Sequence, residues 1–493
     1  YTHEFGARRL FAGTAPLFVR EGIYIFAVST GTPALAALLL APAGGEGGGQ
    51  EAWRDGAALA FGVQQTVRSE HTREHAQERA DAQWQGQGER NPHEAAHYGT
   101  YVFAPTSVVT AIDPGLSSYL GRSIKMEAHK RNLASHAAAR DGGGLQRLGS
   151  FSVASVLLML VPLLIIALGY GLWSRERESG TLRQLLATGV DRGTLFWGKA
   201  IALATVVGML LVPAGIVIVT VLWIFGGGDA TTFARLGLLA LSYAIYFAIF
   251  GALTLAASAR FRSARGALVA MIGVWGLFCL ISPRVATEVA GATQPLPSRA
   301  ELAREVSLAL EKGLDGKTDR KVAIAAITKD LMASQGVEGG GMLMADASYE
   351  ERMALQAKAK WENDILTHVM GKMDAQLAAQ EGAVEWAGFV SPFVAMRTLS
   401  AGFAGTDVTH HQHFTTYAES WRQAFISHLN KAFEGWDAVA NAELWKKAPP
   451  FAYQPPSAML AVSDHLLSVL ALLFWLVLSL LFAWRSAHRL EVV

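Results

Sequence analysis

Cysteine is almost missing from this sequence. The single thiol, Cys279, sits inside an apolar run, which excludes a disulfide framework and a cysteine zinc site within the chain. Charge is scarce too: Asp, Glu, Lys and Arg make up 17% of the 493 residues, against roughly 25% in an ordinary soluble domain. Neither sign is in excess, because Lys+Arg 42 against Asp+Glu 41 leaves a formal charge of +1. That balance argues against a nucleic-acid binder, whose affinity needs a basic face. What is abundant is apolar: 51% of residues are hydrophobic and the mean hydropathy is +0.26. A disordered chain is excluded and a membrane-spanning one is expected.

Six stretches have the apolar character and the roughly 20-residue length that a bilayer-spanning helix requires. They run approximately over 22–41, 151–173, 200–225, 233–258, 264–284 and 457–484. The last is the clearest, with Leu466 to Phe482 almost uninterrupted; the first is interrupted by Ser29, Thr30, Gly31, Thr32 and Pro33. The chain opens at Tyr1 rather than methionine, so a short leading piece is expected to be missing, and no cleavable signal is visible.

Short-loop positive charge is retained in the cytoplasm, and here it falls on one side of the predicted spans. Arg8, Arg9 and Arg20 precede span one. Arg175, Arg177, Arg183, Arg192 and Lys199 separate spans two and three, Arg260, Arg262 and Arg265 separate four and five, and Arg485 and Arg489 follow six. The loop Gly226–Asp229 has none. Both termini are therefore expected in the cytoplasm and two long segments outside. The organisation reads as a segment 1–41 with span one, an extracytoplasmic insertion 42–149, spans two to five over 150–284 with a cytoplasmic coupling helix at 174–198, a second insertion 285–456, and span six with its tail over 457–493. The outer segments read as mainly helical. Residues 62–85 alternate charges on a helical period, and Met353, Ala357, Trp361, Ile365, Val369, Met373 and Leu377 recur every four residues as in a long amphipathic helix. Residues 300–335 and 415–436 also read as helices, and the one strand expected is near Tyr98–Phe103. The fold class is all-α and polytopic.

After span two comes Ser174-Arg175-Glu176-Arg177-Glu178-Ser179-Gly180-Thr181-Leu182-Arg183-Gln184-Leu185-Leu186-Ala187-Thr188-Gly189-Val190. Two acids, a Gly-Thr-Leu turn and a short amphipathic helix make a charged knob on a transmembrane helix, against which a partner could push. The plainer reading is that Glu176 and Glu178 end a helix and pair with nearby Arg, and such surface pairs contribute only about 0–1 kcal/mol.

This segment resembles the ABC-2-type permeases, in which Glu-x-Glu-x-Gly-Thr-Leu and the following helix couple to an ATP-binding subunit. The resemblance extends to a subgroup with a large extracytoplasmic insertion after each of spans one and five. It is carried by Ala95-Ala96-His97-Tyr98-Gly99-Thr100-Tyr101, Asp113-Pro114-Gly115, Tyr119-Leu120-Gly121, Glu127-Ala128-His129 and Ala404-Gly405-Thr406-Asp407-Val408-Thr409-His410-His411, and covers residues 90–493. It implies a non-catalytic permease of a bacterial inner membrane, with ATPase coupling at Glu176, Glu178, Gly180, Thr181 and Leu182. It further implies ATP and Mg on a partner ABC ATP-binding subunit, pairing with a second copy or a related permease, contact with membrane lipids and no nucleic acid. Spans two and five would line the dimer interface, and Pro162 in span two offers a bend. Export or extraction is the expected direction. Gly316-Lys317-Thr318 looks like the end of a phosphate loop, but its opening glycine is replaced by Glu311.

Several histidine patterns invite other chemistry. His410, His411 and His413, with Asp407 nearby and following the apolar stretch 387–404 that is expected on the outer membrane surface, could bind zinc or copper. Consecutive residues on a helix diverge by about 100°, so capping and interfacial hydrogen bonding compete with that reading. A metal-delivery role through this cluster, and a force-transmitting complex without translocation, are the alternatives to transport. His71-Thr72-Arg73-Glu74-His75 matches an inverted zinc-peptidase pattern, with no downstream acidic ligand identified beyond Glu127 as the nearest candidate, and a solvated helix explains it as well. Asp464 and His465 lie roughly two turns inside span six, where an ionisable pair is a functional expectation unless the outer domain solvates it. Gly339-Gly340-Gly341-Met342-Leu343-Met344 is a glycine turn with apolar contacts before it is a soft metal site.

Overall fold

Three of the spans begin where a short polar side chain takes up orphan helix amides, whereas His465, ahead of Leu466–His488, makes no capping bond with its side chain. The computed structural model describes residues 70–132, 134, 152–224, 229–334 and 347–490; the expected span 22–41 and the 339–344 segment lie outside the described residues. Ser152 forms a capping box with Ser155 at Val153–Gly169, Asp229 caps Ala230–Arg260, and Ser263 caps Ala264–Gly276. Five helices among the described residues have the length and apolarity to cross a membrane: Val153–Glu178, Arg192–Thr220, Ala230–Arg260, Ala264–Thr293 and Leu466–His488. Their outward faces expose large apolar side chains, with Met209 and Val269 each at 71%, which suits hydrocarbon and not water. The chain is a predominantly helical membrane protein.

Span Ala230–Arg260 sits at the centre, packed against Val153–Gly169 on one side and Leu466–His488 on the other. Pro162 lies inside Val153–Gly169. A proline has no amide hydrogen and so leaves the carbonyl four residues earlier without its helical donor, here that of Leu158. The Tyr246 hydroxyl donates to it at 2.9 Å, and the Trp275 indole donates to the neighbouring Met159 carbonyl at 3.0 Å. The proline is thus clamped by two other spans. A second irregularity, the π turn Leu277–Ile281, is met the same way: Ser391 Oγ donates to the Phe278 carbonyl at 3.0 Å.

One end of the bundle carries Arg175, Arg177, Arg183 and Arg260 and is called the basic end; the other is the distal end. Beyond the distal end stand Arg299–Lys312, Arg320–Ser334, Ala347–Trp386 and Val408–Lys431. The long helix Ala347–Trp386 buries Met353, Ala357, Ile365 and Val369, so the four-residue period does mark its packed face. A small antiparallel sheet lies against Val408–Lys431: β1 (Thr100–Phe103), β2 (Ser123–Glu127) and β3 (Lys130–Arg131) in that order, with Thr100 opposite Met126 and Phe103 opposite Ser123. Val102, Ile124 and Met126 meet Phe414 and Ala418 in its core.

Several expectations are corrected here. The sheet makes the fold not purely α: β2 was not anticipated, because a five-residue strand stabilised by packing leaves little periodic signal. The expected interfacial stretch 387–404 is packed mostly inside the protein: its helix Pro392–Ala404 buries ten of thirteen residues against Ala230–Arg260 and Leu466–His488, while Val390 just ahead of it stays exposed. The last predicted span, 457–484, is broken at His465 into Ala458–Asp464 and Leu466–His488. The helix after Ser263 runs past residue 284 to Thr293.

The proline clamp yields a double-substitution test. Tyr246→Phe leaves the Leu158 carbonyl without a donor and is expected to destabilise the purified protein by about 1–3 kcal/mol, read from thermal unfolding in detergent. In a Pro162→Ala background the helix supplies its own amide, so the same change should cost markedly less. Equal costs in both backgrounds would contradict the clamp.

Candidate functional site

Two polar constructions depart from the apolar bundle, one at each end. At the basic end the chain turns out of Val153–Gly169 through Ser174–Glu178, passes Gly180, and forms the short helix Thr181–Ala187. Gly180 has φ 77, a left-handed conformation that favours glycine. The knob is tied to its neighbours at several points. Ser258 Oγ accepts from the amides of Trp173 and Ser174 at 2.9 and 3.2 Å. Arg177 donates to the Phe261 and Ala259 carbonyls at 3.1 and 2.5 Å. Glu178 accepts the Ala264 amide at 3.0 Å, and Lys199 bridges Glu176 and the Leu172 carbonyl at 2.5 and 2.7 Å. Leu182 is 1% exposed and anchors the short helix, while Arg183, Gln184 and Ala187 face outward. The knob is a stiff, polar projection whose base is locked to three spans.

At the distal end a buried chain of charged groups joins four elements. Gly405, at φ 71, ends Pro392–Ala404, and Asp407 then caps Val408–Lys431 by accepting the His410 amide at 2.9 Å. Asp407 also takes hydrogen bonds from His410 Nδ1 at 2.5 Å and His465 Nε2 at 2.6 Å. The other ring nitrogen of His465 faces Glu385 at 2.5 Å. His410 Nε2 is 3.2 Å from Arg235 Nη2, and Arg235 donates to the carbonyls of Phe403 at 3.1 Å and Pro456 at 2.6 Å. All five side chains are nearly buried.

Donor logic assigns the protons, which are inferred from partners. Arginine can only donate, so His410 Nε2 accepts from it and Nδ1 carries the hydrogen given to Asp407. His465 faces a carboxylate at each nitrogen, so both nitrogens donate and the ring is an imidazolium. Arg235 and His465 thereby balance Asp407 and Glu385. Burial alone would lower His465, which stands just ahead of the span Leu466–His488, but its hydrogen bonds to Asp407 and Glu385 outweigh that and push it up to about 10. Burial would raise Asp407, yet the bonds from His410 and His465 hold it far below the usual carboxylate range. Glu381, close by, is pushed up to about 7 by burial and by the Asp407 charge. Glu381, Asp407 and His465 also fit a metal-ligand spacing, but both His465 nitrogens are already committed, and the network is neutral without a cation.

The loop Asp113-Pro114-Gly115 locks onto this junction. Ser400 Oγ donates to Asp113 Oδ2 at 2.5 Å, Thr406 Oγ1 to the Asp113 carbonyl at 3.2 Å, and the Leu116 amide to the Thr406 carbonyl at 2.8 Å. Tyr243 of the central span joins at Ser400, 3.1 Å away.

The sequence-predicted residues are distributed as follows. Glu176, Glu178, Gly180, Thr181 and Leu182 are brought together in the knob. His410, His411 and His413 do not converge: His410 joins the network, His411 is half-buried, and His413 meets Tyr453 at 3.0 Å. Asp464 and His465 do not form a pair, since Asp464 is exposed and His465 reaches Glu385 and Asp407 instead. Within helix 70–85, His71 and His75 pair separately with Glu74 and Glu78 at 3.4 and 3.0 Å. Gly316-Lys317-Thr318 folds as a turn around Asp315, which accepts the Lys317 and Thr318 amides, each at 3.0 Å. Sequence reasoning missed Arg235, Glu381 and Glu385; an arginine in the second turn of an apolar span was the one available signal.

A family model described as ABC-2 family transporter protein matches residues 55–485. The match spans most of the chain, and the chain belongs to that family, whose permeases are typically non-catalytic. No curated protein and no solved structure matches the chain.

Two outcomes follow from the junction. For Glu381 the folded value, about 7, lies above the ordinary 4.5, so its contribution to stability falls as pH rises through that window and stays lost above it. Glu381→Gln is therefore expected to raise the unfolding midpoint at pH 8, with the gain vanishing toward pH 4.5; a pH-independent difference would contradict the burial argument. At Gly402 an added Cβ would lie 2.4 Å from His465 Cδ2. Gly402→Ala should destabilise by about 1–3 kcal/mol, measured by thermal unfolding, and a neutral effect would contradict the packing.

Proposed function

We propose that this chain is the membrane permease subunit of an ABC transporter, coupling ATP hydrolysis on a separate subunit to export or extraction of a substrate across a bacterial inner membrane. The observation that carries the proposal is the knob, a rigid polar projection whose base is hydrogen-bonded to the spans beginning or ending beside it. A partner gripping Arg183, Gln184 and Ala187 would displace Ser174–Glu178, and through Ser258, Ala259 and Ala264 it would tilt two further spans. The concentration of arginine at this end supports placing it in the cytoplasm, where ATP is available. Two permease chains, identical or related, would enclose the pathway, with the distal helices as extracytoplasmic insertions and the subgroup with two such insertions as the nearest kind.

Central span Ala230–Arg260 supports a transmission role, because Ser258 holds the knob at one end and Arg235 holds the distal network at the other. A force-transmitting complex without translocation would use the same parts, and substrate accumulation on the far side distinguishes the two. Metal delivery through His410, His411 and His413 has less support, as their rings serve three different environments.

The test is ATPase stimulation in vesicles reconstituted with the cognate ATP-binding subunit. Arg183→Glu combined with Gln184→Lys is expected to reduce stimulation at least tenfold without shifting the permease unfolding midpoint. Glu178→Lys should abolish it. Leu182→Asp, by contrast, should lower the unfolding midpoint itself. An unchanged ATPase response in the Arg183/Gln184 variant would overturn the coupling proposal.

A further inference from the structure

Away from both polar constructions, His93-Glu94-Ala95-Ala96-His97 reads His-Glu-x-x-His and folds as the helix Pro92–Tyr98. Residues four apart on a helix share a face, and the Nε2 atoms of His93 and His97 are 3.2 Å apart. A third imidazole, His129, comes from the turn between β2 and β3, with its ring centre 4.9 Å from that of His97 and 5.6 Å from that of His93. One nitrogen from each ring lies within 4.8 Å of the other two. A tetrahedral ion with Zn–N bonds of about 2.0–2.1 Å holds its nitrogens roughly 3.3 Å apart, close to the spacing of the His93 and His97 pair.

We infer that His93, His97 and His129 bind a single divalent transition-metal ion of the imidazole-preferring kind, Zn2+ first among them. The inference stands independently of ATPase coupling. His129 is the one non-glycine residue at positive φ among the described residues, at 64°. It is held there by Glu362, which accepts from Nδ1 and leaves Nε2 buried without a partner. A carboxylate on the far nitrogen of a ligand histidine is the usual way its ring is oriented and made more basic. Glu362 is itself 3% exposed and fixed by Arg320 at 2.5 Å.

The helix bearing the other two rings is pinned at both ends. Asn91 accepts the His93 amide and donates to the carbonyls of Gly435, Trp436 and Ala438. Gly99, at φ 67, sits where an added Cβ would lie 2.1 Å from the Met126 carbonyl oxygen, so the helix end presses onto β2. His93 is buried beside Trp436, whereas His97 is exposed and lines a cleft of about 410 Å³ with Tyr98, Tyr101 and Lys125. The cleft gives an ion its entry, and three protein ligands leave a fourth position open. Glu127 and Glu362 favour a cation electrostatically and Lys358 opposes it. Glu94, beside the first histidine, is exposed and is not a ligand.

The test uses the purified full chain, stripped with a chelator and titrated with Co2+, with Zn2+ in competition. One equivalent of Co2+ per chain is expected, with d–d absorption, displaced by Zn2+. His97→Ala should weaken binding at least tenfold, and Glu362→Gln by about 10–100-fold. Glu94→Gln and His413→Ala should bind as the parent does. Zn2+ should raise the unfolding midpoint of the parent but not of His97→Ala, whose midpoint without metal should match the parent because the side chain is exposed. Absence of stoichiometric binding, equal binding in His97→Ala, or loss of binding in His413→Ala would each overturn the assignment.

Discussion

No water is at hand inside a bilayer to satisfy a backbone carbonyl, and every irregularity in a span must find a donor within the protein. That constraint organises this molecule. The carbonyl released by Pro162 takes the Tyr246 hydroxyl, the π turn takes Ser391, and the Gly388 carbonyl takes the Trp475 indole at 3.1 Å. At the basic end Lys199 takes the Leu172 carbonyl, and at the distal end Arg235 takes the last carbonyls of Pro392–Ala404. Each donor is a side chain of a different helix, so the bonds that repair one helix also fix its neighbour. Span Ala230–Arg260 is central because it supplies Arg235, Tyr243, Tyr246 and Ser258 along one length.

The distal network shows how charge is tolerated at such a junction. Taking two charges out of water costs several kcal/mol per ion, and an unpaired member would carry that cost alone. Here Asp407 accepts from the imidazolium of His465 and from the His410 ring that Arg235 backs, and it also caps a helix, so one carboxylate serves both the fold of Val408–Lys431 and the join between that helix and the spans. The arrangement depends on small residues at contact points. Gly402 lets His465 approach, and Gly115 lets the 113–116 loop reach Thr406, whose Oγ1 would be 2.3 Å from an added Cβ.

What the sequence made legible follows the range of the interactions concerned. The five spans among the described residues and the long helix Ala347–Trp386 were readable because apolar length and a four-residue period are local properties. The knob was readable because its acids, glycine and short helix are contiguous. The distal network was not: Arg235, Glu385, Asp407 and His465 are far apart in the chain, and each taken alone looks like a capping residue or a stray charge. His410, His411 and His413 are neighbours in the chain but not in their surroundings, since proximity along a helix sends consecutive side chains in different directions. His93 and His97 did carry a local signal, the spacing of four with an intervening Glu. Its meaning depends on His129, which reaches the site only through the turn between β2 and β3.

The two long segments that the spans separate in sequence are one body in space. Trp84 and Ala95 share a core with Phe425, Leu429 and Trp445. Arg90 pairs with Ala440 through reciprocal backbone bonds of 3.1 and 2.9 Å, and Asp113 bonds Ser400 across the junction. Neither segment could move far without the other, and both are fastened to span Ala230–Arg260 through Tyr243 and Arg235. A rigid tilt of that span would therefore displace the distal body as a unit rather than open it.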